Sequence, residues 1–402
     1  MDREQYIEEH LRTRVTSSCD VLVCGGGVAG IAAALAAARQ GKKVVLLERE
    51  YILGGLGTAG LVTIYLPLCD GKGRQVSYGI AEELLRLSVS MGHENDSRYA
   101  ANWLESDDPA RRTEHDPRYE VQYNPHLFAM LTEQLLLSEG VHILYGTVAV
   151  AVTQAQSRIE TVIVENKSGR SAICCGTVVD ASGDCDVAHF AGAPTSMYAR
   201  GNILAAWYYS LGEAGYQLRL LGLAENPKKG SAEGFLSSQR FSGVNGEDNS
   251  VFMQMSHEAI LNEIRSKRQT DPDLIPVTLS SIPQLRMTRR LIGVTEISDA
   301  DEHQFQPHSI GMVSNWRKRG PVYEVPFESL YCSEIRNLIT AGRCISCTDD
   351  MWDILRVIPC CAVTGQAAGT AAAMFDNFSN ADINALQAAL VHDGVVLHEK
   401  DL

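Results

Sequence analysis

The sequence predicts an α/β fold built on a parallel sheet, and three observations support this. A short apolar run at residues 20–24 is followed by a glycine-rich turn and a helix-forming segment at 31–40. A second apolar run at 43–48 completes a strand–helix–strand unit of about 30 residues. Later apolar runs at 177–181 and 337–341 also end in glycine-containing turns, which is typical of buried parallel strands.

Composition limits the classes of protein to which the chain can belong. Its 402 residues are 45% hydrophobic and 21% charged, which fits one large globular domain or two intertwined domains. The net charge of −14 disfavours nucleic-acid binding. We expect no signal peptide and no membrane span. The 11 cysteines, an odd number in a long chain, favour a reducing cytoplasm over a secreted disulfide framework.

The first glycine turn carries the most specific motif. Gly25, Gly27 and Gly30 form the pattern G-x-G-x-x-G between a strand and a helix. The first glycine permits a tight turn, the second lets a pyrophosphate approach the backbone, and the third lets helix and strand pack closely. Glu48 ends the next strand, where a carboxylate can accept hydrogen bonds from ribose hydroxyls. The motif predicts a bound dinucleotide, either NAD or FAD.

Three further features favour FAD over a nicotinamide cofactor. A second glycine loop, residues 54–58, follows the Glu48 strand directly, and a nicotinamide-binding unit does not need one there. Residues 180–184 (DASGD) place an acid just past a glycine at a strand end. Residues 342–343 (GR) end another strand, and small residues at 365–369 (GQAAG) follow on a helix. The N-terminus of that helix can face the flavin, where negative charge develops on reduction.

The remaining segments suggest how the chain is organised. Residues 123–137 predict a helix entered through Asn124-Pro125, followed by a strand at 141–145 and two or three antiparallel strands within 146–175. Residues 65–120 and 243–250 have the composition of loops, and 359–375 predict a final helix rich in small residues. Residues 199–324 differ in character from the rest. We therefore predict a discontinuous cofactor domain, residues 1–198 and 325–402, with an inserted substrate-facing domain at 199–324.

The sequence resembles a known family of FAD-dependent oxidoreductases that have the glutathione-reductase-like FAD fold. This family is related to fumarate reductase and to thiazole-biosynthesis and tRNA-modifying flavoproteins. The resemblance covers nearly the whole chain. It rests on the Gly25 loop with Glu48 and on residues 53–60, 180–193, 286–293 (RMTRRLIG), 337–346 (NLITAGRCIS) and 355–373. It implies a Rossmann-type FAD-binding domain with an inserted α+β substrate domain, but it implies no particular substrate.

Motifs and resemblance together give a predicted set of cofactor-binding residues. The set comprises Gly25, Gly27, Gly30, Glu48, Arg49, Gly55, Thr58, Val148, Gly183, Asp184, Gly342, Arg343, Gly365 and Gln366. The cysteine spacing does not predict a metal site.

Candidates for the reaction itself are Arg286, Arg290 and His308. An arginine over a flavin site can bind a carboxylate in a bidentate manner or stabilise developing negative charge, but structural salt bridges explain clustered arginines equally well. His308 fits an acid–base role, although a lone histidine is more often structural.

We expect an enzyme that transfers a hydride or electron pair between a small molecule and the flavin, with dehydrogenation of the substrate favoured. Two alternatives stay open: reduction of an activated double bond, and an electron-transfer subunit without turnover of its own. A nucleic-acid-modifying flavoenzyme is a weaker alternative, since the sequence shows no basic extension. The oligomeric state is left open.

Overall fold

A parallel sheet forms the centre of the fold, as the alternation of apolar runs and glycine turns predicts. The computed structural model describes residues 7–92, 120–222, 225 and 235–402. The strands of its first half are β1 (Arg14–Cys24), β2 (Val44–Leu47), β3 (Ile64–Tyr65), β4 (Val121–Gln122), β5 (His142–Leu144), β6 (Val148–Ala155), β7 (Arg158–Asn166) and β8 (Gly169–Asp180). The later strands are β9 (Thr195–Met197), β10 (Tyr208–Gly212), β11 (Gly215–Arg219), β12 (Ile275–Leu279), β13 (Arg289–Leu291), β14 (Ser309–Ser314), β15 (Val322–Pro326) and β16 (Leu338–Thr340). The helices are α1 (Val28–Arg39), α2 (Ile80–Val89), α3 (Pro125–Ser138), α4 (Asp186–Phe190), α5 (Gly246–Lys267), α6 (Asp349–Leu355), α7 (Ile358–Met374) and α8 (Ile383–His392).

The main sheet has the strand order β5-β2-β1-β8-β7-β6, and β16 also pairs with β8. Strand β1 runs parallel to β2 and to β8, and β2 runs parallel to β5. Strand β16 is parallel to β8, whereas β7 is antiparallel to both β6 and β8. The carboxyl ends of β1, β2, β8 and β16 therefore meet at one edge of the sheet, which confirms the predicted Rossmann-type α/β fold.

Strand β8 is longer than the sequence predicts. The prediction of separate strands before residue 175 and at 177–181 is wrong, because Gly176 does not interrupt the strand. A Cβ atom at Gly176 would lie 2.6 Å from the carbonyl oxygen of Asp20, so only glycine lets β8 approach β1 at this point. Residues 169–174 of β8 pair with β7, and residues 178–180 pair with β16. One edge of β8 therefore pairs first with β7 and, further along, with β16.

Helices α1 and α7 approach each other so closely that glycines of one helix touch the backbone of the other. A Cβ atom at Gly365 would lie 2.3 Å from the carbonyl oxygen of Ala29, and one at Gly369 would lie 2.1 Å from that of Ala33. Residues 28–37 of α1 are all buried. Small side chains on both helices permit this short separation of the axes.

A second sheet, antiparallel and ordered β11-β10-β12, lies in the middle of the chain together with α5. Phe252 of α5 packs edge-to-face on Phe241, with ring centroids 5.0 Å apart. The interpretation of residues 243–250 as a loop is wrong from Gly246 onward. The side chain of Asn245 accepts a hydrogen bond from the Asp248 N–H at 3.0 Å, and acidic residues in the first turn favour a helix N-terminus.

Other parts of the region at 199–324 contact the first unit of the fold. Strands β14 and β15 form an antiparallel pair that packs on α7, where a Cβ atom at Gly311 would lie 2.9 Å from Cγ1 of Val363. Strand β13 pairs with β9, which precedes the predicted boundary at 198. The division into residues 1–198, 199–324 and 325–402 stays a prediction.

Two further expectations have mixed outcomes. The predicted entry to α3 is confirmed, since the Asn124 side chain accepts hydrogen bonds from the N–H groups of His126 and Leu127, both at 3.1 Å. Within the segment interpreted as loops, 65–120, the structure has α2, and residues 93–119 lie outside the described part of the chain.

Among described residues no single helix is long and apolar enough to span a membrane. Helices α6 and α7 pass that test only as a pair bent by 89°.

The contact between α1 and α7 leads to a stability prediction. We expect Gly369→Val to lower the free energy of unfolding by about 3 kcal/mol, because the added side chain must displace the backbone at Ala33. Denaturant unfolding of the cofactor-free protein measures this change. The control is Gly246→Ala, where a Cβ atom meets nothing within 4 Å, and we expect a change within about 0.5 kcal/mol. Equal stabilities of the two variants would contradict the described packing.

Candidate functional site

A cleft opens at the edge of the sheet where the parallel strands end, and most of the predicted cofactor residues line it. These are Gly25, Gly27, Glu48, Arg49, Gly55, Val148, Gly183, Asp184 and Arg343. They follow β1, β2 and β8, begin β6, or lie in the turn after β16. Residues far apart in sequence meet here because the parallel strands all point the same way.

The first glycine turn has the geometry that its motif predicts. Gly25 has φ +108°, and a Cβ atom there would lie 2.4 Å from the carbonyl oxygen of Ala181. A Cβ atom at Gly30 would lie 1.8 Å from the carbonyl oxygen of Gly25. A Cβ atom at Gly27, by contrast, would meet nothing within 4 Å, and Gly27 faces the cleft. Two glycines therefore serve packing, and the third keeps open space in front of α1.

Glu48 connects the glycine turn to the end of β2. Its Oε2 accepts a hydrogen bond from the Gly26 N–H at 2.8 Å, and its Oε1 accepts one from the Glu50 N–H at 2.7 Å. Burial raises the pKa of this carboxyl group, against the lowering effect of the two N–H donors. Each oxygen keeps a second lone pair, so the group can still accept hydrogen bonds from the cleft.

The second glycine loop lies directly against the first. The Gly54 N–H donates to the carbonyl oxygen of Gly26 at 2.8 Å, and Gly27 and Gly54 form a parallel bridge. Gly55 has φ +55°, and a Cβ atom there would lie 3.2 Å from Cα of Gly27. The buried Thr58 hydroxyl donates to the carbonyl oxygen of Leu53, so Thr58 holds the loop from behind rather than lining the cleft.

The third part of the cleft is an ion pair between Asp184 and Arg343. Arg343 Nη2 donates to Asp184 Oδ1 at 3.2 Å, and its Nη1 donates to the carbonyl oxygen of Leu285 at 2.6 Å. The Thr288 hydroxyl donates to the same Asp184 oxygen at 2.8 Å. Gly183 has φ +82°, and a Cβ atom there would lie 2.4 Å from Arg343 Nη2. A glycine at this position lets the guanidinium group lie flat against the loop.

Arg356 adds a second guanidinium group to the cleft, and sequence analysis missed it. Its Nη2 and Nε donate to Oδ1 of the buried Asp353 at 2.5 and 3.2 Å. Arg317 donates to the other oxygen of the same carboxylate. Burial alone would raise the pKa of Asp353, but the charges of Arg356 and Arg317 hold that pKa below its ordinary value. Arg356 lies i+3 from Asp353 and just before α7, a pattern that also fits an ordinary helix salt bridge.

Two helix N-termini open into the cleft. The residue before α1, Gly27, provides no side-chain hydrogen bond to the first turn, and neither does Val357 before α7. Val28 of α1 and Ile358 of α7 both line the cleft. Free N–H groups at helix N-termini favour anionic groups such as phosphates. The cleft therefore attracts negative charge at two places, and Arg343 and Arg356 lie at the second.

Four other predicted cofactor residues lie behind the cleft. Gly30 packs against the glycine turn, as described above. Gly342 has φ +68°, and a Cβ atom there would lie 2.8 Å from Cβ of Ala29. Gly365 lies in the contact between α1 and α7, and the buried Gln366 accepts a hydrogen bond from the Ile80 N–H at 2.8 Å. These residues hold the helices together around the cleft.

The structure separates the residues predicted to act on the substrate. Arg290 is buried and pairs with Glu296 at 3.1 Å and with Asp349 at 3.5 Å. The His308 ring is half exposed, pairs with Glu328 and does not line the cleft. Arg286 extends into a small neighbouring cavity instead of the cleft.

Sequence analysis also missed part of the cleft lining that comes from the middle of the chain, namely Gly243, Asn249, Ile282, Pro283 and Leu285. These residues carry no motif, and only the tertiary fold brings them to the cleft. In the described residues no group of three or more His, Cys, Asp or Glu side chains could hold a metal ion.

The cleft suits an extended dinucleotide. The space in front of Gly27, where a Cβ atom would project, lies at the N-terminus of α1 and admits a pyrophosphate against the backbone. Glu48 lies at the carboxyl end of the neighbouring strand β2, within reach of a ribose. The cleft continues past Asp184 and Arg343 to α7, and this second half provides the room that a flavin needs.

Comparison with known proteins identifies the family. A family model described as FAD dependent oxidoreductase matches residues 20–211 and 279–390, well over half of the 402 residues. The unmatched stretch between the two segments contains β11 and α5.

Individual proteins match over shorter segments or with low identity. The chain is 33% identical over 75 residues to a thioredoxin reductase of Ureaplasma parvum serovar 3, covering 19% of this chain and 24% of that protein. It is 49% identical over 49 residues to a 4-oxocyclohex-2-ene-1-carboxylate 5-dehydrogenase of Sinomonas cyclohexanicum, covering 12% and 8%. Both matches span less than a quarter of the length of either protein. A solved geranylgeranyl bacteriochlorophyll reductase-like protein from Thermoplasma acidophilum has a TM-score of 0.43 at 15% identity, covering 94% of this chain and 82% of that chain.

The open space at Gly27 gives a prediction that separates folding from cofactor binding. Gly27 has φ −68° and ψ 177°, angles that any residue adopts, so we expect Gly27→Val to fold with a stability within about 1 kcal/mol of the cofactor-free wild type. The valine side chain should nevertheless block the pyrophosphate and give colourless protein. Absorbance spectroscopy and denaturant unfolding measure the two effects, with Gly246→Val as the control. A yellow Gly27→Val protein would refute the assignment of this turn to the cofactor.

The buried carboxylate of Asp353 gives a prediction about pH. Because its pKa is lower in the folded than in the unfolded state, Asp353 stabilises the fold above the unfolded pKa of about 4. This stabilisation disappears as the pH falls through the folded-state pKa. We expect Asp353→Asn to lower the free energy of unfolding by about 3 kcal/mol at neutral pH and by less in acid. The exposed Asp273→Asn is the control, and a loss that did not shrink in acid would contradict this account.

Proposed function

Because this chain belongs to the FAD dependent oxidoreductase family, it is an enzyme with FAD as its cofactor, and we propose that it oxidises a small-molecule substrate. The observation that carries the proposal is the cleft at the carboxyl ends of the parallel strands, into which both α1 and α7 point their N-termini. The proposed reaction is dehydrogenation of a C–O, C–N or C–C bond. The Sinomonas relative is named a dehydrogenase, which agrees with this direction, whereas the Ureaplasma relative is named a reductase.

We assign the adenosine half of FAD to the first part of the cleft. The turn at Gly25 and Gly27 and the N-terminus of α1 would hold the pyrophosphate, and Glu48 would accept hydrogen bonds from the ribose. Arg49, Gly55 and Val148 line the same part of the cleft. In this assignment Gly30 and Thr58 act indirectly, by holding the two glycine loops in place.

The flavin half belongs to the second part of the cleft, beside Gly183, Asp184 and Arg343. When bound, FAD supplies the two-electron acceptor of the reaction. The N-terminus of α7 and the guanidinium groups of Arg343 and Arg356 favour negative charge at this end. Because Arg343 is held by Asp184 and Leu285, and Arg356 by Asp353, neither guanidinium must reorganise as charge develops.

We propose that the substrate enters from the side formed by the middle of the chain. Gly243, Asn249, Ile282, Pro283 and Leu285 all belong to residues 199–324 and line the cleft. This supports a substrate-facing role for that region.

The cysteines support a reducing compartment, since all 11 lie within the described residues and none forms a disulfide.

Absorbance spectra of the purified protein test the proposal. We expect visible flavin bands, and acid precipitation of the protein shows whether the flavin is covalently attached. Under anaerobic conditions we expect at least one class of compound from a panel of hydroxy acids, amines and sugars to bleach these bands.

Other outcomes would redirect the assignment. A protein that stays colourless after FAD is added would contradict the cofactor. If no panel compound bleaches the flavin but the chemically reduced enzyme is reoxidised by an α,β-unsaturated acid, the reaction is the reduction of a double bond. If neither happens, the result favours an electron-transfer subunit without turnover of its own.

A further inference from the structure

A buried arginine next to the cleft has a guanidinium nitrogen without a partner. The Arg286 residue is only 6% exposed. Its Nη1 donates to the carbonyl oxygen of Gln284 at 2.6 Å, but its Nη2 is buried and has no hydrogen-bond partner among the described residues. The guanidinium lies 5.2 Å from the centroid of the Trp207 ring, which gives it one apolar face. A buried charge left in this state is costly unless an anion or other acceptor completes it.

A tyrosine hydroxyl in the same cavity is also without a partner. Tyr198 is 5% exposed, and its ring packs edge-to-face on Trp352 with the centroids 6.0 Å apart. Its hydroxyl is buried and has no hydrogen-bond partner in the described part of the chain. Tyr198 and Arg286 line one small cavity, together with Asn202, Glu225 and Gln284. Each of these two cavity-lining residues therefore has one buried donor without a partner in the described part of the chain.

The charges around Arg286 are unbalanced toward positive. Burial, and then the nearby Arg356, lower its pKa to about 9, and Arg343 and Arg317 act in the same direction. Asp353 opposes them, but its carboxylate already accepts hydrogen bonds from Arg317 and Arg356. The other acid in the cavity, Glu225, uses both oxygens on Arg240. A water molecule would satisfy the two donors but would leave the positive charge uncompensated.

The cavity lies next to the proposed substrate side of the cleft. Along one segment, Ile282, Pro283 and Leu285 line the cleft, while Gln284, Arg286 and Met287 line the cavity. Arg343, which lies in the cleft, also bonds to the Leu285 carbonyl oxygen of this segment. An anion in the cavity would therefore lie beside a segment that also lines the cleft.

We infer that Arg286 and Tyr198 form a binding site for one carboxylate, and that the substrate of the proposed oxidation supplies it. A carboxylate has two acceptor oxygens, which suit the free Nη2 and the phenolic hydroxyl, and its charge offsets the surrounding guanidinium groups. This inference rests on the proposed function, because it names the chemical class of substrate for the same site. In this role Arg286 anchors the substrate.

Calorimetric titration of the FAD-loaded enzyme with acetate and benzoate, and with acetamide and benzamide as neutral counterparts, tests the inference. We expect the carboxylates to bind more tightly than the amides. Arg286→Gln should weaken carboxylate binding by about tenfold or more, and Tyr198→Phe by about threefold to tenfold, with amide binding unchanged. Arg170→Gln removes an exposed arginine that pairs with Glu165 and should bind acetate and benzoate as the wild type does.

Equal binding of acids and amides, or wild-type carboxylate affinity in both Arg286→Gln and Tyr198→Phe, would overturn the inference and leave a water-filled cavity. If Arg286→Gln does not fold, Tyr198→Phe and Arg286→Lys decide, since the lysine keeps the charge and should keep the preference for acids.

Flavin absorbance of every sample distinguishes failure of the proposed function from failure of the carboxylate site. Loss of FAD from the wild type counts against the proposed function, whereas loss of acid selectivity in a fully loaded enzyme counts against the carboxylate site alone. Carboxylate binding without flavin bleaching by any carboxylate in the anaerobic panel would overturn the assignment to the substrate.

Discussion

Backbone-to-backbone contact at glycine is the constraint on which the rest of this structure depends. Gly25 and Gly30 let α1 begin directly against β1 and β8, and Gly365 and Gly369 let α7 lie against the backbone of α1. These contacts bring two helix N-termini to the edge where the parallel strands end. A Cβ atom at any of the four would meet a carbonyl oxygen within 2.4 Å, so the segments in contact would have to separate. The cleft and its electrostatics follow from this packing.

The sequence was most informative where a function depends on a short stretch of chain. The spacing of Gly25, Gly27 and Gly30, and of Glu48 after them, was enough to predict the turn and the strand–helix–strand unit, and all of these except Gly30 line the cleft. The same reasoning misjudged the loop composition around α5, because Asn245 and Asp248 are cap and first-turn residues that also occur in loops. It also passed over α2, although the i, i+4 spacing of apolar residues in IAEELLRLSV was a usable signal.

Side-chain direction was the part that the sequence could not supply. Gly365 belongs to a run of small residues typical of a cofactor contact, yet it lies in helix packing, because close approach to a ligand and close approach to a helix require the same residue types. Arg286 and Arg290 lie in one short segment, but one extends into a cavity and the other pairs with Glu296 and Asp349. The acidic residues that pair with Arg290, Glu296 and Asp349, lie outside this segment. The place of Arg356 in the cleft was likewise not predictable from the sequence. It depends on the hydrogen bonds to Asp353 and on the position of Arg356 just before α7.

Strand β16 is the last strand of the main sheet to be synthesised, and this affects how the chain folds during translation. While residues 181–337 emerge from the ribosome, the end of β8 that will pair with β16 presents unpaired N–H and C=O groups. The helix that packs on α1 has not been made at that stage either. The closing contacts join segments far apart in sequence, which slows folding and exposes apolar surface in the interim. The cleft therefore acquires its complete lining only after β16 and the start of α7 have been made.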